Sequence, residues 1–225
     1  MNKRLEKIAE FIENGVGFVD VGTDHGYLPA HMAVKGYSGN IYAADLREGP
    51  LSSAKHTAEH YRVTDKMEFI LCDGLELCPK DNIDTIVIAG MGGDNICGIL
   101  DRAEWCMNQK YKLILQPMKK AEILRYWLSN NEFIIENEAL VSDGGVIYQV
   151  VTARFGGVQP LNEAELYTGK YELIHDDPLF FDYLKVQIRR FENTLAGLKL
   201  SGLDQYKPKI TLCSHILAQL REMEK

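Results

Sequence analysis

Gly17-Phe18-Val19-Asp20-Val21-Gly22-Thr23-Asp24-His25-Gly26-Tyr27-Leu28-Pro29 is the stretch from which the fold can be worked out. Its first part is a short apolar run closing in a glycine, and from Tyr27 to Val34 a helix-like pattern runs on and stops near Gly36. Strand, tight turn and helix therefore follow in close succession. Upstream, Leu5, Ile8, Phe11 and Ile12 have helical spacing and end at Glu13-Asn14-Gly15. Downstream the unit repeats: strands at Asn40–Asp45, Met67–Asp73, Thr85–Gly90 and Lys112–Pro117, with helices over 50–61 and about Asp94–Cys106. Continuous apolar strands alternating with helices predict a parallel sheet covered on both faces.

After a helix at about 119–130 the order changes. Residues 132–140 and 146–154 are both strand-like, with only Val141-Ser142-Asp143-Gly144-Gly145 between them. So short a link cannot cross over a sheet; it makes a hairpin, and hence an antiparallel last strand. An α/β, Rossmann-like sheet of five parallel strands with a terminal antiparallel hairpin is the plan of class I methyltransferases, whereas six parallel strands would suit a nicotinamide dehydrogenase better. From Leu161 onward strands disappear. Leu184, Ile188, Phe191, Leu195 and Leu198, then Cys213, Ile216, Leu220 and Met223, alternate steps of three and four, as in a coiled-coil seam. Ser201–Pro208 forms the turn of an antiparallel helical hairpin. The expected organisation is a catalytic domain over residues 1–157 and a helical coiled-coil domain over 158–225, which a chain of 225 residues can fill with one sizeable core and a small second module.

Composition narrows the classes. The net charge of −7 counts against a polyanionic partner taken alone, since nucleic-acid affinity rests on Lys and Arg. The surplus is uneven, however: residues 1–157 carry 16 Lys+Arg against 22 Asp+Glu, and residues 158–225 carry 9 against 10, so a local basic face is allowed. Cys72, Cys78, Cys97, Cys106 and Cys213 are odd in number with no C-x-x-C pair, and read as reduced, buried thiols. His56 and His60 stand four apart on a helix without a third ligand nearby, so no metal is expected. No apolar run approaches the roughly 18 residues of a membrane span. A charged amphipathic start in place of a signal-peptide core predicts a soluble, cytoplasmic protein with no membrane association, and no obligate protein partner is evident in the sequence.

The turn at Asp20-x-Gly22-x-Asp24-x-Gly26 has the context of a nucleotide-type loop, where glycine lets a ligand approach backbone N–H groups. Asp24 replaces the middle glycine of the common acid-x-Gly-x-Gly-x-Gly pattern. A carboxylate there repels a pyrophosphate and favours a sulfonium. Asp45, ending strand two, can accept from ribose hydroxyls, a role that does not by itself separate NAD from S-adenosylmethionine. Asp73, followed by Gly74-Leu75, is placed to accept from an adenine amine, with Leu75 over the ring; either aspartate could instead cap a helix. Gly90-Met91-Gly92-Gly93-Asp94 follows strand four, where the reacting ends meet, and lacks the Asn/Asp-Pro-Pro-aromatic motif of many amino-directed enzymes. Its alternative role is helix entry with Asp94 as N-cap. Gln116-Pro117 ends strand five with an amide suited to a base edge. Lys119, Lys120, Arg125, Arg154, Arg189 and Arg190 are candidate phosphate contacts, set against the plainer reading of solvated helix faces.

With these residues in view, the sequence resembles the bacterial tRNA methyltransferases that modify N1 of adenine 22. The blocks are Val19–Pro29, Ala44-Asp45-Leu46, Asp73-Gly74-Leu75, Ile88–Gly93 and Leu115-Gln116-Pro117, together with the C-terminal coiled coil; Gly-Thr-Asp-His-Gly-Tyr-Leu-Pro and Ala-Gly-Met-Gly-Gly are the specific ones. The resemblance implies S-adenosylmethionine as cofactor, S-adenosylhomocysteine as product and tRNA as partner. It implies a cofactor site at Gly22, Thr23, Asp24, His25, Gly26, Tyr27, Leu28, Asp45, Leu46, Asp73, Gly74, Leu75, Gly90, Met91 and Gly92, and a helical hairpin that helps to hold tRNA. Attack by N1 moves positive charge onto the adenine ring, so a fixed carboxylate would stabilise the transition state. Asp24 is the first candidate, with His25 positioning, Tyr27 stacking, and Met91, Gln116 and Pro117 at the reacting end. The competing readings are a small-molecule or protein methyltransferase, a non-catalytic S-adenosylmethionine-binding module and a nicotinamide oxidoreductase.

Overall fold

Phe18–Val21 and Ile41–Asp45 are buried at every residue, which only a strand covered on both faces achieves. A computed structural model describes all residues 1–225, and in it these strands, β1 and β2, lie inside a seven-stranded sheet. The others are β3 (Glu68–Leu71), β4 (Thr85–Gly92), β5 (Lys112–Lys119), β6 (Phe133–Asp143) and β7 (Val146–Phe155), in the order β3-β2-β1-β4-β5-β7-β6. The first five pair in parallel; β7 enters between β5 and β6, antiparallel to both. The hairpin turn is Gly144-Gly145, both at positive φ (58° and 81°), which a two-residue turn of matching twist demands. The chain splits into two compact units, Met1–Gln159 and Pro160–Lys225. Gln159 belongs to the first because its side chain accepts from Ile135 N–H at 2.8 Å and donates back to the Ile135 carbonyl at 3.3 Å, pinning it beside β6.

The first unit carries α1 (Lys3–Glu10), α2 (Tyr27–Val34), α3 (Glu48–Tyr61), α4 (Gly93–Asp101) and α5 (Ala121–Asn130). The helix expected to reach Cys106 ends at Asp101, and a separate 3-10 turn follows at Glu104–Cys106. The glycine run after strand four is not a free loop. β4 continues through it, pairing Met91 with Pro117 and Gly92 with Lys119 across register shifts that Gly90 permits at φ 79°. Lys119 is therefore a strand residue rather than the start of a helix.

The second unit is more than a hairpin. α8 (Phe180–Ser201) and α9 (Lys207–Glu222) pack along the expected seam, burying Leu184, Ile188, Phe191 and Leu195 against Cys213, Ile216 and Leu220. α6 (Glu163–Thr168) lies against both, followed by the single turn α7 (Tyr171–Ile174). α6 starts on a capping box in which Asn162 Oδ1 accepts from Glu165 N–H and Glu165 returns the bond, an Asn-x-x-Glu signal present in the sequence.

Candidate functional site

The turn after β1 is held by its own hydrogen bonds. Gly22 (φ 70°) and Thr23 both donate their N–H to the Ala44 carbonyl, at 2.8 and 3.0 Å, and Gly26 (φ 64°) donates to Thr23 O at 2.9 Å. Asp24, itself at φ 52°, donates its N–H to Asp45 Oδ2 at 3.2 Å. Of the backbone N–H groups this turn was expected to offer a ligand, those of Gly22, Thr23, Asp24 and Gly26 are therefore already engaged, by Ala44, Asp45 and Thr23. Gly26 also has to be glycine for packing, since a β-carbon there would stand 2.8 Å from that of Ala54 on α3.

Above the carboxyl ends of β1 to β4, where an open α/β sheet binds its ligands, lies a cleft of about 570 Å³. Among its lining residues are the candidates Gly22, Asp24, Asp45, Leu46, Asp73, Gly74 and Met91, together with Arg47, Asp94, Ile99 and Arg102. A second pocket of about 300 Å³ shares Gly22 and Asp24 with it and is lined by Arg4, Asp20, His25, Tyr27, Leu28 and Gly90 among others. Four carboxylates against two guanidiniums give the cleft a cation-accepting character that a pyrophosphate could not use. Asp73 Oδ1 accepts from Arg102 Nη2 at 3.0 Å, and Asp94 pairs with Lys120, whose hydrogen bond holds the Asp94 carboxyl below its usual range. Asp94 does not cap α4; Gly92 occupies that position. Asp45 Oδ1 accepts from Arg47 N–H at 3.0 Å, which fixes the carboxylate at the rim.

In the second pocket Asp20 is buried, and burial pushes its carboxyl up to about 6 against the opposing hydrogen bond from Thr23 and the charge of Arg4. Thr23 spends its hydroxyl on Asp20 Oδ2 at 2.8 Å, so it shapes the pocket rather than offering a donor. The rings of His25 and Tyr27 stack at 5.4 Å with 16° between planes, and Tyr27 is half exposed.

Several expected residues are elsewhere. Leu75 is only 2% exposed and belongs to the core, and the apolar lining of the cleft comes from Val21, Leu46, Met91 and Ile99. Gln116 is fully buried: its Oε1 accepts from Arg4 Nη1 at 2.6 Å and from Gly90 N–H at 3.1 Å, while its Nε2 donates to Pro117 O, so the amide has no edge left for a base. Arg125 is no phosphate contact either. It is fully buried on α5, pairing with Glu138 and donating to Gln149 Oε1 at 3.2 Å. Arg154 pairs with Glu136 and stands opposite Lys112, at the amino end of β5, the wrong end of the sheet for the site. Lys120 is engaged by Asp94. Arg189 and Arg190 are exposed on α8 of the second unit, Arg190 over the Tyr167 ring at 5.6 Å. Arg4 was missed altogether, because nothing in an N-terminal amphipathic helix says that one of its polar residues reaches the end of β4. No group of three or more His, Cys, Asp or Glu that could hold a metal is present, and all five cysteines are free and buried.

Comparison with known proteins places this geometry. A methyltransferase-domain family model matches residues 1–151. The tRNA (adenine(22)-N(1))-methyltransferase of Bacillus subtilis is 35% identical over 156 residues, an alignment covering 69% of this chain and 66% of that protein, so the match spans just under two thirds of the relative's length. The crystal structure of the B. subtilis m1A22 tRNA methyltransferase TrmK superposes with a TM-score of 0.87 at 28% identity, covering 100% of this chain and 99% of that one. Streptococcus pneumoniae Sp1610 in complex with S-adenosyl-L-methionine superposes with a TM-score of 0.81 at 26% identity, covering both chains completely.

Proposed function

The chain belongs to the family of bacterial tRNA (adenine-22-N1)-methyltransferases, and from that premise we propose that it methylates N1 of adenine 22 in tRNA. The observation that carries the proposal is the pair of pockets that meet at Gly22 and Asp24, one suited to the nucleoside of the cofactor and the other with room beside the cofactor's tail for a flat acceptor against Tyr27. S-adenosylmethionine is the cofactor, and the cleft fits it: its carboxylates suit a cationic, hydroxyl-bearing ligand, its volume is in the range of small-molecule sites, and a β-carbon on Gly22 would come within 2.1 Å of Met91 Cε. Asp45 would accept from the ribose hydroxyls, Asp73 from the adenine amine beside Arg102, and Leu46 and Ile99 would flank the ring. When bound, the cofactor supplies a methyl carbon made electrophilic by the neighbouring sulfonium.

The chain's own residues do the remaining work. N1 of adenine is an in-plane lone pair that is occupied in a base-paired duplex, so the pocket receives the base unstacked and swung out. Tyr27, stacked on His25, offers a ring face to receive it. No base is needed to remove a proton from N1. Asp24, two-thirds exposed and bordering both pockets, faces the positive charge that develops on the adenine ring. Lys119, Arg189 and Arg190, with the helical second unit, are proposed to hold tRNA. No helix is long and apolar enough to cross a membrane, and a tRNA substrate would place the enzyme in the cytoplasm.

Incubation of the purified protein with methyl-labelled cofactor and unmodified tRNA, followed by mapping of the labelled nucleotide, tests the proposal. Label at N1 of adenine 22 is the expected result. Label on another position, or none on tRNA, overturns it.

A further inference from the structure

The bonds of the β1–α2 turn pose a question. The amino-acid tail of S-adenosylmethionine is a zwitterion, and its carboxylate needs donors; yet the N–H groups of Gly22, Thr23, Asp24 and Gly26 are all spent on Ala44 O, Asp45 and Thr23 O, and that of Gly90 is spent on Gln116. With these donors engaged, a cationic side chain at the pocket is the natural partner for the carboxylate. Around the pocket that adjoins the cleft at Gly22 and Asp24, one guanidinium is present, that of Arg4, facing the carboxylates Asp20 and Asp24.

Arg4 is held for such a task. Its Nη1 donates to Gln116 Oε1 at 2.6 Å, and Gln116, fully buried and oriented by its own bond to Pro117 O, cannot swing away. The partner is a neutral amide, so the guanidinium is fixed in place without being neutralised, and four of the five N–H donors of an arginine remain beyond that bond. The geometry points to Arg4 as the residue that binds the α-carboxylate of the cofactor's methionine tail, with Asp20 receiving the α-ammonium. This inference rests on the cofactor assignment above. It gives α1 a function: the helix that packs on the sheet ahead of β1 delivers the one cation the tail requires. A phosphate of the target nucleotide is the other anion of matching chemistry, and the test separates the two.

Calorimetric titration of the full chain with S-adenosylmethionine and with its decarboxylated analogue, which keeps the sulfonium and the amine, provides that test. In Arg4→Met, S-adenosylmethionine binding should weaken about 10- to 100-fold while binding of the decarboxylated analogue is unchanged. Arg4→Lys should recover part of the loss for the carboxylate-bearing ligand only. Equal weakening of both ligands would overturn the inference in favour of a purely structural role through Gln116. Unchanged affinity for both ligands with weaker tRNA binding would overturn it in favour of a phosphate contact. Wild-type protein that bound neither ligand would overturn the cofactor assignment, and the inference with it.

Discussion

Asp24 sits where a common glycine pattern would place a residue with no side chain, and it adopts a left-handed φ of 52° to do so. That conformation is uncommon for a non-glycine residue, though Asp tolerates it better than most; here its N–H bond to Asp45 secures it. An Asp24→Asn chain should keep the backbone and the cofactor affinity and lose about 100-fold in kcat, the scale seen when one preorganised electrostatic group is removed. Single-turnover methylation at the wild-type rate, with binding intact, would exclude the electrostatic role. Asp20 makes a separate statement about pH. Its carboxyl titrates at about 6 in the folded chain because it is buried, whereas an unfolded Asp titrates near 3.9. Between those values the folded state holds a proton that the unfolded state has lost, so this group's contribution to stability falls as pH rises from about 4 to about 6, by on the order of 3 kcal/mol. Asp20→Asn should therefore melt above wild type at pH 7.5, with the gap closing towards pH 4, and thermal denaturation across that range checks it. At this scale the acids ending β1 and β2 were legible from position alone, because a strand end fixes where its side chain stands. Arg4 and Gln116 were not, since their bond joins residues 112 apart in sequence.

α5 shows how an element can hide a charge. Leu124, Arg125 and Leu128 all face the interior, and Ala121, Leu124, Arg125 and Leu128 follow the spacing of a helix's buried stripe. A reading that weighs each basic residue as a phosphate contact passes over that register; the stripe position was the signal. Buried Arg125 pairs with Glu138 on β6 and donates to Gln149 on β7, clamping the helix to both strands of the hairpin. Removing one partner leaves an uncompensated buried charge, so Arg125→Met should cost about 3–5 kcal/mol, whereas the apolar double replacement Arg125→Met, Glu138→Leu should recover most of it. Chemical denaturation of the two variants decides the matter, and a double variant no more stable than the single one would show that the pair's worth lies in its Gln149 bond. The hairpin itself was legible because Gly-Gly between two apolar runs has few other solutions. α6 was not, because it is too short for periodicity to register and only its capping box announces it.

For the whole molecule, the hard fact is a net charge of −7 on a chain proposed to hold tRNA. Polyanion affinity depends on local cations and not on the sum, provided the basic groups in contact outnumber the acidic ones there. Sequence could say that the first part holds most of the acidic surplus, but not which basic side chains were available. The structure removes Arg125 into the core and ties Arg154 to Glu136, and leaves Arg189 exposed on α8. If Arg189 meets a phosphate, Arg189→Gln should weaken tRNA binding to a similar degree for different tRNAs, since such a contact reads no sequence. The slope of log affinity against log salt should become shallower by about 1. Affinity for S-adenosylhomocysteine, whose proposed site lies in the first unit, should not change. Filter-binding titrations over a salt series, alongside calorimetry with the cofactor product, measure both. A variant with the wild-type salt slope would remove α8 from the tRNA-contacting surface, and the phosphate contacts would then have to come from the first unit, starting with Lys119.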